Sequence, residues 1–140
     1  MSKSNAESAE SYYLLGETLR PLLTNAMGSS FEVFDTTGTP GGGPPPHTHP
    51  WEEAYFVLSG EMDVHIDGAT THLAAGDITH VPAGVAHGYT TLDETHFLTI
   101  VTKGNASKFF KQVSTEIEMS PPDIEGILRV GEVHGATFLA

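Results

Sequence analysis

The central part of the chain, residues 54–101, is a series of short strand-like segments separated by turn residues. Apolar and polar residues alternate over 62–66, which is typical of a strand with one buried face. Asp67-Gly68 follows directly and is a common two-residue hairpin turn. Short strands at this spacing predict an all-β sandwich or barrel rather than alternating strands and helices. The predicted strands are 54–58, 62–66, 70–73, 78–81, 87–91 and 96–101.

The N-terminal region is less regular. Residues 1–11 are mostly small or polar, so we expect a disordered tail. Residues 12–24 are apolar but contain Gly16 and Pro21, which favour short extended pieces packed on a sheet over the alternative of a helix. Residues 30–35 alternate as in a further strand, and the Gly- and Pro-rich residues 36–46 predict a loop.

The pattern changes after Gly104. The apolar residues Phe109, Phe110, Val113 and Ile117 recur at helical spacing, which predicts an amphipathic helix covering one end or face of the barrel. A second short helix is predicted over 123–130, with Gly131 placed to end it. We therefore expect a barrel over residues 12–104 and a helical extension over 105–140 packed on that barrel.

Composition excludes several kinds of partner and cofactor. A chain of 140 residues is expected to form one domain with a real core. Eighteen acidic residues against six basic ones give a net charge of −12, which argues against nucleic acid and anionic membranes as partners. No apolar run is long enough to span a membrane. Cysteine is absent, so a metal would need nitrogen and oxygen ligands, and a cytoplasmic location is expected.

Residues 41–60, GGGPPPHTHPWEEAYFVLSG, contain metal-ligand residue types at a suggestive spacing. His47 and His49 share a face of any extended segment, with Cα atoms roughly 7 Å apart. Two imidazoles at that separation can converge on one ion with bonds of about 2 Å. His47 and His49 are therefore candidate ligands of one metal ion.

Glu53 is the third candidate ligand in this stretch. On a straight strand it would lie about 13 Å from His49, which is too far to share an ion. Pro50 removes a ladder donor and fixes φ, so we expect the chain to turn there and return Glu53 on a neighbouring strand. The alternative is a proline-rich surface loop that carries histidines without binding a metal.

A second informative stretch, residues 76–91, reads GDITHVPAGVAHGYTT. Together the two stretches resemble the cupin superfamily. The first motif of that superfamily, G-x5-H-x-H-x3-E-x6-G, is matched at Gly41, His47, His49, Glu53 and Gly60. The second, G-x5-P-x-G-x2-H-x3-N, is matched at Gly76, Pro82, Gly84 and His87, and departs at Thr91, where asparagine is usual.

This resemblance implies an antiparallel jelly-roll barrel that holds one divalent transition metal (Fe, Mn, Ni, Co, Cu or Zn). It implies a small-molecule substrate and a homodimer, in which residues 12–24 are candidates to extend the partner's sheet. Carried over residue by residue, the ligands would be His47, His49, Glu53 and His87. The five histidines that do not occupy a ligand position are expected to be surface or structural groups; they are His65, His72, His80, His96 and His134.

Among single-domain cupins the chain looks most like the bacterial quercetin 2,3-dioxygenase-like group. That likeness implies an oxidoreductase, a dioxygenase acting on a small aromatic or enol substrate, with Glu53 as ligand and catalytic base. A non-redox lyase, isomerase or cyclase, and a ligand-binding protein without catalysis, are the alternatives. Tyr55 and Tyr89 each lie two residues beyond a proposed ligand on the same strand face. With Phe34 and Trp51 they are candidates for the pocket wall, core packing being the alternative.

Overall fold

The computed structural model describes residues 10–139, so residues 1–9 of the tail predicted over residues 1–11 lie outside the described part of the chain. The described residues form eleven strands, a short 3-10 turn at Asn25–Met27 and two α-helices. The strands are β1 (Tyr12–Leu14), β2 (Glu17–Leu23), β3 (Phe31–Gly38), β4 (His47–Thr48), β5 (Glu53–Ser59), β6 (Glu61–Ile66), β7 (Ala69–Ala74), β8 (Ile78–Val81), β9 (His87–Thr91), β10 (Thr95–Thr102) and β11 (Thr137–Phe138). The helices are α1 (Ala106–Glu116) and α2 (Ile124–His134).

The strands build two antiparallel sheets that enclose the core. The larger sheet has the order β1-β2-β3-β10-β5-β8, and the smaller has the order β11-β4-β9-β6-β7. Strands that follow one another in the sequence often belong to different sheets, as β4 and β5 do. This is the predicted all-β jelly-roll barrel, and residues 12–24 are extended rather than helical, with β1 paired to β2 of the same chain.

Alternation of side chains explains why the central strands pack as they do. In β5 the side chains of Glu53, Tyr55 and Val57 are buried, while those between them are partly exposed. In β6 the buried residues are Met62 and Val64, as their apolar pattern predicts. The apolar residues among them, Tyr55, Val57, Met62 and Val64, meet inside the barrel and belong to one hydrophobic cluster.

Two predicted element ends were wrong by more than one residue. β3 continues to Gly38 because its last residues pair with both β2 and β10, so the first three residues of the predicted 36–46 loop belong to a strand. α2 does not end at Gly131 but at Gly135, which adopts a left-handed φ of 92°. Gly131 serves packing instead, since an added Cβ there would lie 2.8 Å from the carbonyl oxygen of Ala136.

The two helices lie at one end of the barrel. Phe109 and Val113 of α1 are buried, as predicted, and Ile117 lies just beyond the helix end. α1 packs against β1 and α2, and β11 then pairs with β4, which brings Phe138 opposite His47. Neither helix is long and apolar enough to cross a membrane. The C-terminal segment therefore covers the end of the barrel that carries the first motif histidines.

Candidate metal centre

Four side chains of the two motifs meet inside the barrel. His47 is on β4, His49 follows that strand, Glu53 begins β5 and His87 begins β9. All four residues are buried, and one nitrogen or oxygen atom from each lies within 4.8 Å of the others. Residues that are separated by up to forty positions in the sequence thus converge on one small volume.

The chain reaches this arrangement by crossing between the sheets. His47 on β4 pairs directly with His87 on β9 in the smaller sheet. Glu53 lies on β5 in the larger sheet, so the expectation that it returns on a neighbouring strand was wrong. The segment around Pro50 instead carries the chain from one sheet to the other, and the cluster spans the interior between them.

Each histidine ring is fixed in orientation by its own backbone neighbourhood. A carbonyl oxygen can only accept a hydrogen bond, so the Nδ1 atom that contacts it carries the proton. In the neutral ring Nε2 is then the atom with the lone pair, and it faces the cluster, which is the arrangement that metal-binding histidines need. The bonds are His47 Nδ1 to the Pro45 oxygen at 2.9 Å, His49 Nδ1 to the Trp51 oxygen at 3.0 Å and His87 Nδ1 to the Val85 oxygen at 2.9 Å.

The carboxylate of Glu53 lies among these imidazoles. Its Oε1 atom is 2.9 Å from Nε2 of His87 and 3.6 Å from Nε2 of His49. Burial raises the pKa of Glu53, but the neighbouring His49 and His87 outweigh that effect and hold the pKa below its ordinary value. Burial likewise lowers the pKa of His87, and the hydrogen bond with Glu53 outweighs it, so this pKa is raised. In the metal-free site, a proton shared between His87 and Glu53 therefore offsets the negative charge of the buried carboxylate.

The donor set fits a divalent transition metal. Burial, followed by the nearby His87, lowers the pKa of His47 to about 4, so its imidazole is neutral near pH 7, as a ligand must be. Adjacent donors bound at about 2 Å from one ion lie about 3 Å apart, which is close to the separations between Glu53 and the imidazoles. The cluster therefore indicates a metal-binding site, and three nitrogens with one oxygen are compatible with several metals.

A cavity of about 40 Å³ adjoins the cluster. Its walls include His47, His49 and Glu53, and its other lining residues are mostly apolar. Three of the residues predicted for the pocket wall, Trp51, Tyr55 and Tyr89, line this cavity, while Phe34 is fully buried in the adjoining hydrophobic cluster beside Phe110. The N- and C-terminal elements form the rest of the cavity wall, through Leu14, Leu15, Ala106, Phe109, Phe110, Ala136 and Phe138.

Trp51 forms one wall against a histidine of the cluster. Its indole stacks on the His49 ring with centroids 4.4 Å apart and planes 9° from parallel. The backbone oxygen of the same residue accepts the His49 Nδ1 hydrogen bond. The indole Nε1 is buried and has no hydrogen-bond partner among the described residues. Trp51 thus orients His49 through both its indole ring and its backbone oxygen, and its indole N–H has no hydrogen-bond acceptor among the described residues.

Sequence reasoning missed Glu17, a second buried carboxyl group in the cavity wall. Glu17 begins β2, is 6% exposed and lines the cavity together with Glu53. The hydroxyl of Tyr89 donates a hydrogen bond to its Oε2 atom at 2.5 Å. Burial raises the pKa of Glu17 to about 8. The Tyr89 hydrogen bond lowers this pKa, and the charge of Glu53 raises it further. The available signal was strand parity, since Glu17 lies two residues before Leu19 and so on the same buried face of β2.

The remaining histidines lie outside the cluster and have other partners, in line with the expectation that they are surface or structural groups. The pairs are His65 with Thr70, His72 with Asp63 and Glu61, His80 with Glu52, His96 with Asp35 and His134 with Gln112.

This chain is similar to known proteins in both sequence and structure. Residues 36–101 match the family described as Cupin domain. Quercetin 2,3-dioxygenase of Bacillus subtilis (strain 168) is 29% identical over 72% of this chain, and the match spans only 31% of that longer protein. The polyketide cyclase RemF from Streptomyces resistomycificus is 26% identical, with a TM-score of 0.63, over 73% of this chain and 79% of the other.

A more distant structure supports the fold alone. An RmlC-like cupin from Shewanella frigidimarina is 22% identical, with a TM-score of 0.69, over 77% of this chain and 96% of its own. The matched segment contains both motifs, and the barrel holds their four polar residues in one cluster. Residues 36–101 therefore match a cupin domain, and the described residues have the jelly-roll fold of the cupin structures to which they are similar.

Proposed function

We propose that this chain is a metal-dependent dioxygenase, with a small aromatic or enol-type molecule as substrate. The observation that carries the proposal is the position of the His47, His49, Glu53 and His87 cluster, buried at the wall of an apolar cavity with aromatic sides. The similarity to a quercetin 2,3-dioxygenase supports the same reading. The four residues would hold one divalent metal ion.

A bound metal would lower the pKa of a coordinated substrate hydroxyl and supply a redox-active centre for reaction with dioxygen. The protein's own residues do the rest. Glu53 is ionised and accepts a hydrogen bond from Tyr55 at 2.5 Å. It would serve as a metal ligand and as the base that takes the proton of a substrate hydroxyl, because a bound metal would lower the pKa of that hydroxyl. The apolar wall keeps water away from the reacting groups, and the flat rings of Trp51 and Tyr89 suit a planar molecule.

The size of the cavity sets a condition on substrate entry. Pockets for drug-sized ligands are typically about 300–1,000 Å³, whereas this cavity has a volume of about 40 Å³. A planar aromatic substrate therefore requires movement of the covering residues, of which Phe138 packs over His47 with ring centroids 5.2 Å apart. Small enols need less displacement than flavonols, and we expect them to be the better substrates.

The test is oxygen uptake by protein loaded separately with Fe(II), Mn(II), Co(II), Ni(II), Cu(II) or Zn(II). Flavonols and compact enols are supplied with and without dioxygen, and oxygen consumption is recorded with product formation. Glu53→Gln should abolish uptake, whereas His80→Ala, which changes an exposed histidine outside the cluster, should not. A complete absence of oxygen-dependent consumption for every metal and substrate would refute the dioxygenase proposal.

A second function from a different class has its own support. Burial raises the pKa of Glu17 to about 8, so its carboxyl group is mostly protonated near pH 7 and can act as an acid. The polyketide cyclase RemF is 26% identical to this chain. Both favour a lyase, isomerase or cyclase that uses the metal only as a Lewis acid. Anaerobic turnover by Zn(II)-loaded protein would identify this class. Ligand binding that persists without any metal would instead indicate a binding protein.

A further inference from the structure

Two carboxyl groups line the same small cavity, and their surroundings differ. Glu53 lies beside His49 and His87, whereas the lining residues include no lysine or arginine near Glu17. Each carboxyl group accepts a hydrogen bond from a different tyrosine, Glu53 from Tyr55 and Glu17 from Tyr89. Only Glu53 therefore has a cationic environment that stabilises its charge.

The lack of a cation decides the protonation state of Glu17. The other titratable groups in the cavity wall are Tyr89, Tyr55, Glu53, His47 and His49. Tyr89 donates a hydrogen bond to Glu17, and the negative charge of Glu53 disfavours a second charge on it. A buried carboxylate without a cationic partner is costly, so the group takes a proton instead. Burial accordingly raises the pKa of Glu17 to about 8. Near pH 7 this side chain is mostly a neutral carboxylic acid.

A neutral carboxylic acid can donate a hydrogen bond, which a carboxylate cannot do. Oε2 of Glu17 is occupied by Tyr89, while Oε1 makes no hydrogen bond with the described residues. Glu17 also lines the cavity, so this free oxygen belongs to a residue that a bound molecule would touch. The edge-to-face contact of Tyr55 and Tyr89, with ring centroids 5.0 Å apart, holds the two tyrosine–carboxyl pairs side by side.

We propose that Glu17 is the substrate-binding acid of this cavity, donating a hydrogen bond to an oxygen atom of a substrate that also meets the metal cluster. The substrate class is then a compact molecule with two oxygen functions, one for the metal and one that accepts from Glu17. The inference rests on the proposed site, because it assumes that substrate occupies this cavity. It does not depend on dioxygen, since an acid at this position serves oxidative and non-redox chemistry alike.

The first test uses metal-free protein and no substrate. The protein is labelled with ¹³C at the glutamate carboxyl carbons, and the Glu17 signal is assigned by its loss in Glu17→Gln. We expect this signal to titrate with a midpoint near pH 8. A midpoint near that of an ordinary glutamate, about 4.3, would overturn the proposal.

The second test measures binding of glycolate, a compact 2-hydroxy acid, to Co(II)-loaded protein by visible absorption. The glycolate carboxylate is fully ionised above about pH 6, so its own charge is constant over the experiment. Wild type should bind about tenfold more weakly at pH 9 than at pH 6.5, because Glu17 loses its donor and gains a charge. Glu17→Gln keeps a donor that does not titrate, and its affinity should be nearly equal at both pH values.

Glu17→Leu and Glu61→Gln complete the set. Glu17→Leu removes the donor and should bind glycolate about tenfold more weakly than wild type at pH 6.5. Glu61→Gln changes an exposed carboxyl group and should follow wild type at both pH values. Equal affinity of Glu17→Leu and wild type, or the wild-type pH response in Glu17→Gln, would overturn the proposal. Absence of oxygen uptake would refute only the dioxygenase function, since neither measurement here requires turnover.

Discussion

Tyr55 donates a hydrogen bond to Oε1 of Glu53 at 2.5 Å, and the two side chains share one face of the same strand. The same oxygen lies 2.9 Å from Nε2 of His87. The strand thus supplies both a candidate metal ligand and the group that orients it, and β-strand alternation alone places the two together. Orientation of the carboxylate can therefore be tested separately from its presence.

Tyr55→Phe should weaken metal binding without unfolding the protein. Removal of a group that orients a metal ligand typically costs about 10–100-fold in metal affinity. The ring itself would still pack against Tyr89 and Phe97, so the fold should be retained. A competition titration with a coloured chelator measures the affinity, with Tyr13→Phe, at an exposed tyrosine, as the control. Equal affinity in Tyr55→Phe and wild type would show that the hydroxyl does not orient Glu53.

Phe138→Ala should open the covering of the cavity. The ring packs over His47 and is only partly buried, so we expect a loss of about 1–3 kcal/mol in the free energy of unfolding. Larger planar ligands should then bind metal-loaded protein faster, as measured by stopped-flow absorption. Leu139→Ala, at the exposed next residue, should leave the association rate unchanged. Slower or unchanged association in Phe138→Ala would contradict the idea that this segment limits entry.

Glu17→Gln should change how stability depends on pH. The folded-state pKa of Glu17 is raised to about 8, so its stabilising protonated state is fully retained below the unfolded-state pKa and is lost as pH rises through about 8. Over that range the wild type should lose about 3–5 kcal/mol relative to the variant. Urea unfolding of metal-free protein at pH 5 and pH 9 measures the difference. Parallel pH profiles for the two proteins would contradict the assigned protonation of Glu17.

Gly104→Ala should displace the indole that stacks on His49. A Cβ atom at residue 104 would lie 2.4 Å from Cε3 of Trp51, which is closer than any real contact. Trp51 is the one tryptophan of the chain, so its fluorescence reports the shift directly. Leu92→Ala, at an exposed residue of the β9–β10 connection, is the control and should leave the emission unchanged. Identical emission spectra for Gly104→Ala and wild type would show that the ring is not held there.

The sequence predicts much of the barrel because alternation is a local property. β8 and β9 have the bounds that their residues predict, and the Asp67-Gly68 turn adopts positive φ at both positions. The choice of sheet in which a strand pairs depends on residues far away in the sequence. For that reason Glu53 was expected on a strand next to β4, whereas β5 belongs to the other sheet. α2 ends at Gly135, which adopts the left-handed φ, whereas Gly131 packs against the Ala136 carbonyl. The local sequence does not distinguish these two glycines, because only the packing decides which of them ends the helix.

The site divides in the same way. The four clustered residues occupy motif positions with fixed spacing, so the resemblance was enough to nominate them together. Glu17 lies far from both motifs in the sequence, and its contact with Tyr89 is made across the barrel, between β2 of the larger sheet and β9 of the smaller. Phe34 has the parity of a buried residue, but parity does not distinguish the cavity wall from the adjoining cluster.

The most direct test of the account is the stoichiometry of Co(II) binding, measured by equilibrium dialysis of metal-free protein. We predict one tightly bound ion per chain in wild type and in His80→Ala, and none in His47→Ala or His87→Ala, with all variants folded by circular dichroism. No tight binding in folded wild type, or retention of the ion in folded His47→Ala and His87→Ala, would contradict the assignment of this cluster as the metal centre.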